Sequence, residues 1–165
     1  MPSDLSIRRA TPADSPTVVR FNAALAWESE AKKLDNAVLT QGVLAILGDP
    51  HKGFYTVAEI DGQIVGQILI TYEWSDWRNG WYWWIQSVYV QEEFRRRGVF
   101  RAIYQHLHDI ALADPSVIGL RLYVEHDNKR AQATYLSLGM TEEPYGLMGL
   151  YPLPGRSSAI GYREA

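Results

Sequence analysis

The chain has 165 residues, 47% hydrophobic and 21% charged, with 16 basic and 19 acidic side chains for a formal charge of −3. That composition suits one globular domain with a sizeable core. It contains no cysteine, which excludes disulfides, thiolate metal sites and thiol nucleophiles, and the acidic balance argues against a nucleic-acid partner.

Met1-Pro2-Ser3-Asp4 lacks the basic region and apolar core of a signal peptide, and the apolar runs are of strand length. The expectation is a soluble, cytoplasmic protein with no membrane partner. Leu5 to Ala10 reads as a first strand. Thr11-Pro12-Ala13-Asp14 then supplies a capping threonine, a proline at the first helical position and a carboxylate three residues after the cap, so a helix is predicted to start there. Glu28 to Leu34 reads as a charged continuation, helical or loop. Thr40 is predicted to cap a second short helix through Val43, Leu44 and Leu47, stopped by Gly48-Asp49-Pro50.

The period then changes from helical to alternating. Phe54–Ile60 and Gln63–Tyr72 flank Asp61-Gly62, a pair that tolerates positive φ at both central positions of a hairpin turn. Glu73 to Gly80 reads as a strand end and loop. Trp81–Val90 is almost continuously apolar, which suits a central strand covered on both faces. Trp74, Trp77, Trp81, Trp83 and Trp84 crowd into this region, more than a small core holds without some lining a pocket, groove or subunit interface.

Between that strand and the next helix lies Arg95-Arg96-Arg97-Gly98-Val99-Phe100. A glycine at a strand-to-helix turn lets the backbone approach a ligand, and the N–H groups of the first helical turn face whatever anion binds there. Three arginines add charge-assisted donors suited to a pyrophosphate; a solvated basic patch is the alternative. Val99, Ile103, Leu107, Ile110 and Ala111 share a helical stripe ended by Asp114-Pro115. Val117–Val124 is predicted as a strand parallel to Trp81–Val90 through the right-handed crossover. Asp127 or Asn128 caps a helix carrying Ala131, Tyr135 and Leu138 on one face, with Gly139 as terminator. Met140 to Tyr151 could supply one or two closing strands, and the tail after Pro152 is loose or crosses to a partner subunit. The fold class is mixed α/β, with ligands expected at the carboxyl ends of the strands. No pair among His51, His106, His108 and His126 has ligand spacing on one face, so no metal is expected.

Two spaced motifs carry a family resemblance. Arg95-x-x-Gly98-x-Phe100 follows Gln/Arg-x-x-Gly-x-Gly/Ala, with Phe100 in place of a small residue, and Asn128-x-x-Ala131-x-x-x-Tyr135-x-x-x-Gly139-Met140 follows Asn-x-x-Ala-x-x-x-Tyr-x-x-x-Gly-Phe. The chain resembles the GNAT N-acetyltransferase superfamily. That resemblance implies the acyl-CoA N-acyltransferase fold, a single mixed twisted sheet with helices on both faces and a splayed fourth and fifth strand pair, in one domain over 1–165 with its core about 5–151. It implies acetyl-CoA as co-substrate without a metal, and direct transfer of acetyl to the primary amine of a small acceptor, a polyamine or amino-acid-like amine, by a homodimeric enzyme.

Carried onto this chain, the main chain of Ser87, Val88, Tyr89 and Val90 would bind the pantetheine arm, with an N–H near Val88 polarising the thioester carbonyl. Arg95, Arg96, Arg97, Gly98, Val99 and Phe100 would hold the pyrophosphate. Asn128 would contact the arm or cap its helix, and Tyr135 would donate a proton to the departing thiolate. A protonated amine needs a base or water relay, for which Glu73 ranks ahead of Glu28. Trp27, Glu28 and Glu30 on one segment and Trp74, Asp76 and Trp77 on another would line an aromatic and acidic acceptor cleft if they converge. The alternatives are a non-catalytic acyl-CoA sensor or structural protein, and an acetyltransferase of protein N-termini or lysines.

Overall fold

The computed structural model describes residues 5–162. The chain divides into two compact units: residues up to Arg121 together with the tail from Ala159, and Leu122–Ser158. Along the first run β1 (Leu5–Arg9), α1 (Ser15–Glu30), β2 (Lys32–Leu34), α2 (Asn36–Gly48), β3 (Phe54–Ile60), β4 (Gln63–Ser75), β5 (Gly80–Val90), α3 (Val99–Ala113) and β6 (Val117–Leu122); α4 (Lys129–Ser137) belongs to the smaller unit and β7 (Ile160–Tyr162) to the returning tail. Five strands form one sheet in the order β1-β3-β4-β5-β6, and β2 pairs with β7 in a separate two-stranded ribbon. The predicted α/β class with one mixed sheet is the fold observed. Because β2 intervenes, the fourth and fifth strands of the sequence reading are β5 and β6.

Local chemistry sets the element boundaries. At the entry to α1, the Thr11 N–H donates to Asp14 Oδ2 at 2.7 Å, completing the capping box through a short 3-10 turn at Pro12–Asp14. The hairpin turn places Asp61 at φ 53° and Gly62 at φ 76°, the two positive values that an Asp-Gly pair accommodates at least cost. The second helix starts earlier than predicted. Asp35, not Thr40, is its cap, accepting from Val38 N at 2.9 Å, while Thr40 lies inside the helix and bonds back to Asn36 O.

The two faces of the sheet follow from alternation along β4. Tyr55 and Leu69 pack with Val18 and Val43 of α1 and α2. On the opposite face, a β-carbon on Gly66 would stand 3.0 Å from a Val99 methyl, so α3 lies there, burying Val99, Ile103, Leu107 and Ala111. The odd-numbered residues 67 to 73 therefore face α1, and the even-numbered residues 66 to 74 face the α3 side. The Trp81 N–H donates to Ser116 O at 2.7 Å, and a β-carbon on Gly119 would meet the Tyr82 ring, so β6 runs parallel to β5 from their beginnings. By that count β6, ending at Leu122, runs out beside Ile85, and Gln86–Val90 extend past its last residue.

In the smaller unit, Asn128 Oδ1 accepts from Ala131 N at 3.0 Å and caps α4. Gly139 at φ 87° ends it, with Met140 N returning to Tyr135 O. The closing strands expected between Met140 and Tyr151 do not form, and β6 stops two residues short of Val124. Pro144 lacks a ladder donor, and Gly146 and Gly149 lack the side chains a strand packs. Instead the tail supplies β7, anchored by Asp35 N to Ala159 O at 3.0 Å. Among the described residues no helix is long and apolar enough to cross a membrane, and no group of three His, Asp or Glu side chains could hold a metal ion.

Candidate functional site

The central irregularity is a bulge in β5. Leu69 pairs with Gln86 and Gln67 with Tyr89, so Ser87 and Val88 face the single residue Ile68. Ser87 takes φ 48°, in the left-handed region. One inserted residue flips the alternation, so Gln86 before the bulge and Tyr89 after it project to the same, α1-facing side. The Phe21 ring of α1 sits 4.9 Å from the Tyr89 ring on that side.

A buried polar chain lies under the bulge. Gln67, fully buried, donates from Nε2 to Ser87 O at 3.2 Å and to Asn22 Oδ1 at 2.9 Å, and Asn22 donates to the Tyr55 hydroxyl at 3.0 Å. Burial pushes the Tyr55 phenol up, opposed by hydrogen bonds from Asn22 and Ser87. Above it opens a cleft of about 350 Å³ between α1 and α2, with Asn22, Tyr55 and Ser87 beside apolar Leu25, Leu39, Val43 and Ile46, and with Glu30 as its carboxylate. Sequence reasoning missed Asn22, Tyr55 and Gln67. The available signal was a glutamine inside the apolar run Ile64–Ile70 and an asparagine among the apolar positions of α1.

The arginine turn has more backbone specialisation than its glycine alone. Arg96 takes φ 64° and Gly98 φ 83°, two left-handed residues around Arg97, a geometry that turns successive amides to one side. Gly98 is the N-cap of α3, whose first ladder bond runs from Ala102 N to Gly98 O at 2.9 Å. Arg96, Arg97 and Arg101 are exposed beside this positive helix end, an arrangement that an anion would stabilise. Phe100 is half-buried, its ring 6.1 Å from that of Tyr104 one turn later.

Arg95 is different. Its Nε donates to Val90 O at 2.8 Å and its Nη2 to Glu28 Oε2 at 2.5 Å, while Glu28 Oε1 accepts from the Tyr89 hydroxyl at 3.0 Å. Burial, then the hydrogen bond to Glu28, raises the Tyr89 phenol. Glu73 is held elsewhere on the same sheet face, accepting from Trp84 Nε1 at 2.6 Å and Arg121 Nη1 at 2.9 Å. Trp84 and Tyr89, their respective partners, are separated by roughly 15 Å of strand, so the two carboxylates occupy different stations along β5.

The aromatic and acidic acceptor cleft does not assemble as expected. Trp74 is an even-numbered β4 residue and projects to the α3 side, where it meets Trp81 at 4.9 Å beside Tyr72 and Trp83. Trp77 lies in the turn after β4 and is 86% exposed. Trp27 and Glu28 are on α1, across the sheet from Trp74. Alternation divides the tryptophan cluster, sending Trp84 to the α1 face and Trp81 and Trp83 to the other.

Within the smaller unit, Asn128 and Tyr135 stand on α4 as cap and second-turn residue. Burial pushes the Tyr135 phenol above the ordinary tyrosine value, which keeps its proton in place at neutral pH.

The model of the acetyltransferase (GNAT) family matches residues 20–140. Thialysine N-epsilon-acetyltransferase of Bos taurus is 32% identical over 144 residues, covering 81% of this chain and 82% of that protein. The chain belongs to the GNAT acetyltransferase family. A solved Clostridium difficile 630 protein, described as a possible acetyltransferase, is 46% identical with a TM-score of 0.86, covering 92% of this chain and 99% of that one. An integron cassette protein from the mobile metagenome of Cole Harbour Salt Marsh shares the fold, at 22% identity and a TM-score of 0.77 over 90% of this chain and 91% of its own.

The GNAT family uses acetyl-CoA. The residues present are chemically suited to that co-substrate. A diphosphate needs convergent donors and positive charge, which the Arg96–Gly98 backbone and the exposed guanidinium groups offer. An extended pantetheine arm needs an unpaired strand edge, and β5 outruns β6 where one would lie.

Proposed function

We propose that the chain, acting as one catalytic domain over 1–165, transfers acetyl from acetyl-CoA directly to the primary amine of a small, amino-acid-like acceptor in a ternary complex. The observation that carries this reading is the adjacency of the β5 bulge at Ser87-Val88 to the cleft between α1 and α2. The thioester lies along the far end of β5 with its carbonyl oxygen on the Val88 N–H, its diphosphate on the Arg96–Phe100 turn, and the amine enters from the cleft.

The amine nitrogen attacks the thioester carbon, forming the C–N bond while the oxygen gathers charge against a backbone donor that does not need to reorganise. The C–S bond then breaks, and the Tyr135 hydroxyl gives its proton to the departing thiolate. The ammonium proton leaves to a carboxylate, directly or through water. Glu28 takes precedence over Glu73 here, because its partner Tyr89 adjoins Val88.

The acceptor class follows from the cleft's lining, which is largely apolar with one carboxylate, that of Glu30, which an acceptor ammonium would share with Lys32. A slender chain carrying one terminal amine suits it, and a polyamine, which needs several carboxylates, suits it less. The bovine relative, a thialysine N-epsilon-acetyltransferase, supports the same class. A homodimer is part of this reading, supported by exposed Leu147, Met148 and Leu150 in the smaller unit, and sedimentation at micromolar concentration tests it.

Thiol release from acetyl-CoA against thialysine, lysine, polyamines, aryl-alkylamines and short peptides tests the proposal. Turnover is expected with the amino-acid amines. Turnover confined to peptides would transfer the assignment to protein acetylation, and coenzyme binding without turnover on any amine would make the chain a sensor.

A further inference from the structure

We infer that Gln67 is a positioning residue for acyl transfer, aiming the Val88 N–H at the thioester carbonyl; this rests on the acetyl-transfer reading above. The main chain supplies the first step. The carbonyl of Ser87 and the N–H of Val88 belong to one peptide plane, and in a trans peptide the two point in opposite directions. The cis bond among the described residues is Tyr151-Pro152, so the Ser87-Val88 peptide is trans. With Ser87 O turned to the Gln67 amide at 3.2 Å, the Val88 N–H points the opposite way within that plane, away from the Gln67 amide.

The bulge alone does not hold this orientation. Ser87 sits at φ 48°, a conformation that a non-glycine residue keeps only when its surroundings over-determine it. Gln67 supplies the constraint from a fully buried position on β4, and its own amide orientation is fixed in turn. Asn22 Oδ1 accepts from the same Nε2 at 2.9 Å, and Asn22 must present that oxygen because its Nδ2 donates to Tyr55. The Gln67 amide therefore sets its NH2 between two acceptors, leaving Oε1 without a hydrogen-bond partner among the described residues. An apolar residue of similar shape would fill the site without burying that oxygen, so packing alone does not account for glutamine here.

The test replaces Gln67 by Met, which keeps the volume and removes the donor, and by Asn, which keeps the amide but draws it back by one methylene. The carbonyl stretch of bound acetyl-CoA, without acceptor, is read by isotope-edited infrared spectroscopy. Signal is normalised to bound coenzyme, so that a destabilised variant still reports from its folded fraction. In the natural chain the stretch is expected to fall below that of free acetyl-CoA. In both variants it is expected to return toward the free value, with kcat reduced about tenfold and the dissociation constant of coenzyme A nearly unchanged. A stretch equally displaced in the natural chain and both variants overturns the role of Gln67 and leaves acetyl transfer standing. A natural chain that neither displaces the stretch nor acetylates any amine overturns the transfer reading itself.

Discussion

The Glu28 carboxylate and the Arg95 guanidinium, 2.5 Å apart, join the end of α1 to the turn that precedes α3. Arg95 is thus a strut between α1 and that turn, and the proposed function leaves the diphosphate to Arg96, Arg97, Arg101 and the backbone. Arg96→Ala and Arg101→Ala are expected to raise the acetyl-CoA KM, with the difference shrinking as salt is added. Arg95→Ala should act through Glu28. With side chains 38% and 43% exposed, a double-mutant cycle should give a coupling of about 1 kcal/mol or less.

The two candidate bases separate by substitution. Glu28→Gln is expected to lower kcat/KM about tenfold or more while coenzyme A still binds. Glu73→Gln should leave kcat/KM nearly unchanged and cost about 1 kcal/mol of stability through the lost Arg121 contact, read by denaturant unfolding. The opposite pattern would assign the proton to Glu73.

Tyr135→Phe should slow turnover by roughly ten- to a hundredfold while coenzyme A still binds, since a thiolate leaves with little assistance. Because burial raises this phenol, the alkaline limb of kcat should lie above the ordinary tyrosine range and vanish in the variant. Stopped-flow thiol release across alkaline pH reads both effects.

Acid sensitivity has a defined source at the entry to α1. Asp14, hydrogen-bonded by Arg8, has its carboxyl pulled down from 3.8 to about 2. A depressed folded pKa means that the stabilisation is complete above pH 4 and is lost as pH falls toward 2. Its magnitude is about 1 to 2 kcal/mol, allowing for the partly exposed Arg8. Asp14→Asn should remove that amount at neutral pH and flatten the stability curve between pH 4 and 2, as measured by urea unfolding.

Local chemistry was legible in the chain and long-range geometry was not. The Thr11-Asp14 capping box, the Asp61-Gly62 turn and the Asn128 cap each depend on residues within a few positions, and each forms as its sequence implies. The β2 and β7 pairing joins three-residue segments over a hundred residues apart, too short to carry a period. The Ser87 bulge was hidden because Trp81–Val90 is nearly uniformly apolar, so a flip in alternation leaves no mark on it. The bulge determines that Tyr89 shares the α1 face with Gln86, whereas the expected grouping of Trp27 with Trp74 and Trp77 fails because alternation along β4 sends Trp74 to the α3 side and Trp77 lies in the exposed turn after it. The charged run Glu28–Leu34 carries no break signal ahead of α2, so Asp35 does not stand out in the sequence as the cap of that helix.

The most direct measurement is mass analysis of a single-turnover mixture of the protein, acetyl-CoA labelled in its acetyl group, and thialysine. The account predicts labelled acetyl on the thialysine side-chain amine in the same amount as free coenzyme A. Coenzyme A released without acetylated amine, or bound acetyl-CoA recovered intact, would contradict it.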